Sequence, residues 1–161
     1  MGSAHSDFWR AEKIGTFSLF RGYQEDEADF AKHYPKIQLD CSLVLWRVSE
    51  FLLYLENFAR NLGAGPLAAN IRIRWTGMEN RRLGNHKSMF GVGMSQEHIC
   101  RQQSVESALH IENTSLVKKT LIRDVQAVTR PLFEVFDFFS LNEEQVKALV
   151  QGLFDADKEG I

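Results

Sequence analysis

The segment from Ser42 to Leu62 is the strongest constraint on how this chain can fold. Val44, Val48, Phe51, Leu55, Phe58 and Leu62 recur at spacings of four and three, the period of one α-helical face. Leu45, Leu52 and Ala59 widen the stripe, and Trp46 and Leu53 widen it further. A helix apolar over so much of its surface packs on two sides, as the central helix of a domain or as part of an interface. Arg47, Glu50, Asn57 and Asn61 form its polar edge. Asp40 or Ser42 can cap its start, and Gly63 sits where a left-handed C-terminal residue is wanted.

The same spacing returns near the C-terminus. From about Ser115, the residues Leu121, Val125, Val128, Leu132, Val135 and Phe139 predict a second long helix. Pro131 falls inside it, removes a backbone donor and crowds the preceding turn, so a kink or a restart is expected there. A short final helix is signposted by Asn142 as cap, Gln145 completing a capping box, and Leu141 with Val146 as a hydrophobic staple. Val146, Leu149, Val150 and Leu153 supply its core face, and the polar tail from Asp155 is expected to fray.

Between these helical segments the period changes to two. Ile71, Ile73 and Trp75 alternate with Arg72, Arg74 and Thr76, and Val105, Leu109 and Ile111 alternate with Glu106, His110 and Glu112. Residues 16–21 read as an aromatic-rich strand between Gly15 and Gly22. Residues 77–85 read as a basic turn, and residues 88–94 as a strand softened by Gly91 and Gly93. The acidic stretch Glu25, Asp26, Glu27 and Asp29 leads into a short helix that Pro35 ends. Helices segregated from strands predict an α+β fold, with a small, mostly antiparallel sheet packed against two long helices and a short C-terminal helix.

At 161 residues the chain has the size of one domain, 1–161, with 1–12 and 156–161 expected to be poorly ordered. Hydrophobic residues at 44% exclude a disordered chain. The formal charge of −2 gives no overall basic excess of the kind that phosphate-held nucleic-acid binders show. Cys41 and Cys100 are too few for a disulfide framework, so buried, reduced thiols are expected. No apolar run approaches the ~20 residues that span a bilayer, and the opening residues lack the apolar core of a signal sequence. The expectation is a cytoplasmic protein with no membrane association.

No catalytic or cofactor motif emerges. His98, Cys100 and His110 could be drawn into a metal or cysteine–histidine site. The spacing matches neither CxxC nor HExxH, and no oriented base or electropositive setting is visible, so surface histidines and a buried thiol are the simpler account. Gly91 and Gly93 lack the third glycine and the lysine of a phosphate loop. The acidic run at 25–29 reads as a solvated face. The sequence therefore predicts no catalytic residues, no metal and no cofactor.

The one local signal is basic. Arg72, Arg74, Arg81, Arg82 and Lys87 lie within sixteen residues, opposed only by Glu79. If the strand and the turn bring them together, they form an anion- or nucleic-acid-binding patch. The simpler account pairs them with the acidic 25–29 segment, or with Glu106 and Glu112 on a neighbouring strand.

Three stretches carry a family resemblance. They are Phe17-Ser18-Leu19-Phe20-Arg21-Gly22-Tyr23, Leu43-Val44-Leu45-Trp46, and Ile73-Arg74-Trp75-Thr76-Gly77-Met78 followed by Asn80-Arg81-Arg82-Leu83. In order and spacing they resemble the C-terminal portion of bacterial regulator-like proteins with an N-terminal Schlafen/AlbA-like DNA- or ATP-binding domain. The resemblance covers roughly residues 15–153. It implies a fragment of a longer protein, with the DNA- or nucleotide-binding chemistry in the other part, and it carries over no functional residue.

These readings lead to a non-catalytic regulatory domain that senses a ligand or self-associates, with a homodimer through an apolar helix face. The alternatives are a nucleic-acid-binding module using Arg72, Arg74, Arg81 and Arg82, and a small-molecule enzyme without a recognisable motif.

Overall fold

The computed structural model of the protein describes residues 8–12, 15–23, 26, 38–61, 66–84, 98–137 and 141–158. Strands β1 (Phe8–Ala11) and β2 (Phe17–Phe20) form an antiparallel hairpin. Its connection is closed by Glu12 N–H donating to the Thr16 carbonyl and Gly15 N–H to that of Glu12, with Gly15 at φ 83°. A side chain resists this left-handed backbone, so glycine fits it. Residues 8–11 thus have a cross-strand partner.

Strand β3 (Gln38–Asp40) runs directly into helix α1 (Cys41–Asn61). Asp40 is the cap: its Oδ1 accepts from the backbone N–H groups of Ser42 (2.8 Å) and Leu43 (3.2 Å). Gly63, the expected stop, lies outside the described residues. Strand β4 (Ala69–Thr76) pairs antiparallel with β6 (Ser104–Ile111) over eight residues, and β5 (Arg82–Gly84) pairs parallel with β3.

Helix α2 (Val117–Glu134) follows a 3-10 turn at Thr114–Leu116, and helix α3 (Glu143–Lys158) is the last described element. The α+β class holds, with two corrections. The described strands form three two-stranded pairings, one of them parallel, instead of a single small sheet. The last helix, at sixteen residues, is nearly as long as α2.

Residues 77–84 are more than a turn. Backbone bonds Met78 N–H to Gln103 O, Asn80 N–H to Cys100 O, Cys100 N–H to Arg81 O and Leu83 N–H to His98 O carry the β4–β6 pairing onward into β5. Gly77 (φ 65°) and Asn80 (φ 64°) supply the two left-handed positions that bend the chain there.

Helix α2 connects the layers. It packs against β6 on one side and against α1 and α3 on others. Val117, Val125, Val128 and Leu132 are all fully buried, and burying a side chain of this kind contributes roughly 1.5–3 kcal/mol. Pro131 does not interrupt α2, which continues to Glu134. It stands in the last turn, and the only carbonyl that loses a donor belongs to Ala127, on the exposed side of the helix. The helix ends before Val135, and Phe136 follows fully buried in a turn. Phe139 lies outside the described residues.

Helix α3 begins as its capping box dictates. Gln145 N–H donates to Asn142 Oδ1 (2.9 Å), and Asn142 N–H donates to Gln145 Oε1 (3.0 Å). The staple residues Leu141 and Val146 are both buried. Two side chains tie α3 and its approach to the other helices. Trp46 Nε1 donates to the Leu149 carbonyl and Gln126 Nε2 to that of Leu141, each at 2.6 Å.

The stripe that α1 turns to the core is not centred where the four-three reading put it. Leu45, Val48, Leu52 and Ala59 are buried, whereas Phe51 and Leu55 are half-buried and Phe58 is exposed. The aromatic side of α1 is turned toward the hairpin, where Phe17 meets Phe58 at a ring separation of 5.6 Å.

Candidate functional site

Alternation along β4 decides the position of the first two candidate arginines. Ile71 and Trp75 are buried, Ile73 is half-buried, and Asn70, Arg72, Arg74 and Thr76 are exposed. Across the ribbon, Asn70 pairs with His110, Arg72 with Ala108, Arg74 with Glu106 and Thr76 with Ser104. The outer face therefore carries two arginines, one carboxylate, and an Asn–His pair joined at 2.7 Å between Asn70 Oδ1 and His110 Nδ1. Arg72 Nε lies 3.3 Å from Glu106 Oε1, with both side chains largely in water. Such a pair contributes under about 1 kcal/mol. An open depression of about 640 Å³ lies over this face, lined by Asn70, Arg72, Ala108 and His110 among others.

Arg81 does not join them. It is 7% exposed, and its guanidinium is fully engaged. Nη1 and Nη2 bind the two oxygens of Asp26 at 2.9 and 2.5 Å. Nη1 also donates to the Gln38 carbonyl and Nε to that of Gly77. The planar group stacks on the Tyr23 ring at 4.1 Å from its centroid, and Tyr23 Oη donates to the Thr76 carbonyl. One arginine thus fastens the segment after the hairpin to β3 and to the bend after β4. The planar fork and the stacking make this a task for arginine that lysine does not reproduce. Of the other candidates, Arg82 is exposed on β5 and Lys87 lies outside the described residues. The patch of five therefore resolves into Arg72 and Arg74 on the ribbon, Arg82 beyond the bend, and Arg81 inside.

The cysteine candidates are closed to chemistry. Cys100 is fully buried, with its thiol 3.5 Å from the Gln102 carbonyl, while His110 stands on the outer ribbon face and His98 Nδ1 contacts the Phe136 carbonyl. Burial, and then the neighbouring Asp40 carboxylate, push the Cys41 thiol up to about 12, so it carries no nucleophilic thiolate near neutral pH. Among the described residues no group of three or more His, Cys, Asp or Glu is placed to hold a metal. The Gly91–Gly93 segment and most of the acidic run lie outside the described residues.

Three features went unread in the sequence. Glu56 is buried in the apolar stripe of α1, and its Oε2 accepts from the Lys118 backbone N–H at the start of α2 (3.1 Å), while Oε1 accepts from Arg60 (2.5 Å). It places a carboxylate at a helix N-terminus, where the dipole favours negative charge. Second, Phe8 and Phe20 face each other across the hairpin at 6.1 Å and are each 61% exposed. The aromatic residues of β2 were legible, but its partner strand was not. Third, a second open depression of about 650 Å³ lies between the approach to β6 and the end of α2, lined by Arg101, Glu106, Pro131, Glu134 and Asp137 among others.

No helix among the described residues is long and apolar enough to cross a membrane. Compared with known proteins, the chain matches no family model, no curated protein and no solved structure. What the fold and its surfaces define is an α+β domain with a buried arginine clasp, a polar ribbon face and an aromatic hairpin.

Proposed function

We propose that the protein is a non-catalytic regulatory domain that self-associates through its aromatic hairpin, working beside a DNA- or nucleotide-binding effector domain of the kind found in the bacterial regulator-like proteins it resembles. The observation that carries this reading is the Phe8–Phe20 pair. Two phenylalanines directly opposite on the outward face of a hairpin, each mostly in water, are a surface built for contact. On the opposite face of the same hairpin, Phe17 meets the partly exposed Phe58 of α1.

Taken at ~200 Å² per ring, the Phe8–Phe20 pair leaves roughly 240 Å² of apolar surface in water, about a third of what one partner contributes to a standard interface. A second copy supplies the same area by symmetry, since a two-fold contact uses one patch on both subunits. The dimer is therefore expected to be weak and reversible. Sedimentation velocity over a wide concentration range tests this. The protein should shift from monomer to dimer, and Phe8→Ser with Phe20→Ser should hold it monomeric while its far-ultraviolet dichroism stays unchanged. A strict monomer at the highest concentration overturns the reading.

A further inference from the structure

We infer that the outer face of the β4–β6 ribbon is a contact surface for double-stranded DNA, with the ribbon lying in the major groove. The inference does not depend on self-association.

The geometry comes first. Eight paired residues at about 3.4 Å per residue make a ribbon roughly 24 Å long and two strands wide. The major groove of B-form DNA, about 12 Å across, admits a two-stranded ribbon of that width. The inner face is packed against α2, so the ribbon is held from behind while its outer face remains open.

The side chains come second. Arg72 and Arg74 stand two residues apart on one face, roughly 7 Å along the strand. Arg74 makes no hydrogen bond or ion pair among the described residues, and Arg72 has only the solvent-exposed contact with Glu106, which a phosphate or a guanine edge can displace at little cost. His110 occupies the Asn70 side-chain oxygen, leaving the Asn70 amide N–H groups as donors. Ala108 opposite Arg72 is small, and the open depression over it leaves that guanidinium room to approach a groove floor. Arginine and asparagine are the side chains that make paired hydrogen bonds to guanine and adenine edges. Among the paired residues of β4 and β6, Glu106 is the one opposing charge on the face, and it keeps affinity modest.

Fluorescence anisotropy with a labelled duplex DNA of about 20 base pairs tests the inference, with an RNA duplex and a single-stranded DNA of the same length beside it. The expected result is binding to duplex DNA that weakens between about 50 and 200 mM salt, with a log–log slope near −2 for two phosphate-neutralising arginines. Arg72→Ala and Arg74→Ala should each weaken binding about tenfold and reduce the slope by about one. Glu106→Gln should tighten binding, and Arg82→Ala should leave it within about twofold, as a residue off the ribbon face. All four positions are solvent-exposed, and an unchanged thermal melt confirms that each variant is folded. Absence of duplex binding at low salt overturns the proposal. So does equal or tighter binding to the RNA duplex, whose major groove is too narrow to admit the ribbon. Preference for the single strand, or indifference to both arginine substitutions, overturns it as well.

Discussion

Arg81 and the pair Arg72 and Arg74 belong to the same basic stretch, yet they end in opposite environments. The ribbon arginines stand in water on a face that alternation assigned to solvent. Arg81 comes five residues after the ribbon strand ends and is turned inward by two left-handed residues, Gly77 and Asn80. There it binds a carboxylate and two carbonyls and stacks on an aromatic ring. A charge of one sign can therefore be a surface feature or a fastening, according to whether the chain offers it enough acceptors to replace water.

The sharpest way to break this comparison is Arg81→Ala. It leaves the Asp26 carboxylate and two carbonyls without their donor and removes the stack on Tyr23, so a loss of about 3 kcal/mol in denaturant unfolding is expected. Arg81→Lys should recover less than half of that, because one ammonium cannot meet both oxygens and both carbonyls. An Arg81→Ala protein as stable as the parent would end the distinction.

Glu56 extends the comparison to a buried acid. Glu56→Ala should cost about 1–2 kcal/mol by uncapping α2, read from the same unfolding curves. Glu56→Gln should cost less, since an amide oxygen still accepts from Lys118 N–H.

Cys41 adds a buried group that stays neutral. Its folded pKa is raised from 9.0 to about 12, so the folded state holds the proton more tightly than the unfolded chain. The associated stability is intact below about pH 9 and declines as pH rises through the window from 9 toward 12. The limiting slope is about 1.4 kcal/mol per pH unit. The parent minus Cys41→Ala difference in melting temperature should be flat up to pH 9 and fall above it. A flat difference throughout would show that Cys41 is not desolvated.

The smallest effect is expected at the ribbon. Arg72→Ala and Arg74→Ala should each change stability by under about 0.5 kcal/mol, since both guanidinium groups are already hydrated. A larger loss at either would make that arginine structural and bring the two regions together.

Most of the regular structure was legible in the sequence. The bounds of α1, the capping box of α3 and the inward residues of β4 and β6 follow from period and capping chemistry that act within a few residues. Some features resisted for identifiable reasons. Strand β1 is four residues long and gains its structure from pairing with β2, which no local period records. The tolerance of Pro131 depends on α2 ending three residues later. The burial of Glu56 against its helix's own apolar pattern depends on a backbone N–H supplied 62 residues downstream.

The candidate site divides in the same way. By itself, the sequence determined that Arg72 and Arg74 share a face opposite Ile71, Ile73 and Trp75, because a strand's side chains alternate whatever surrounds it. Only the tertiary structure decided that Arg81 turns inward, since its carboxylate and its aromatic partner stand 55 and 58 positions earlier in the chain. It likewise decided that Phe58 of α1 meets Phe17 of a small hairpin instead of the core. Local periodicity fixes which residues share a face, and the long-range packing of other segments fixes whether that face is covered.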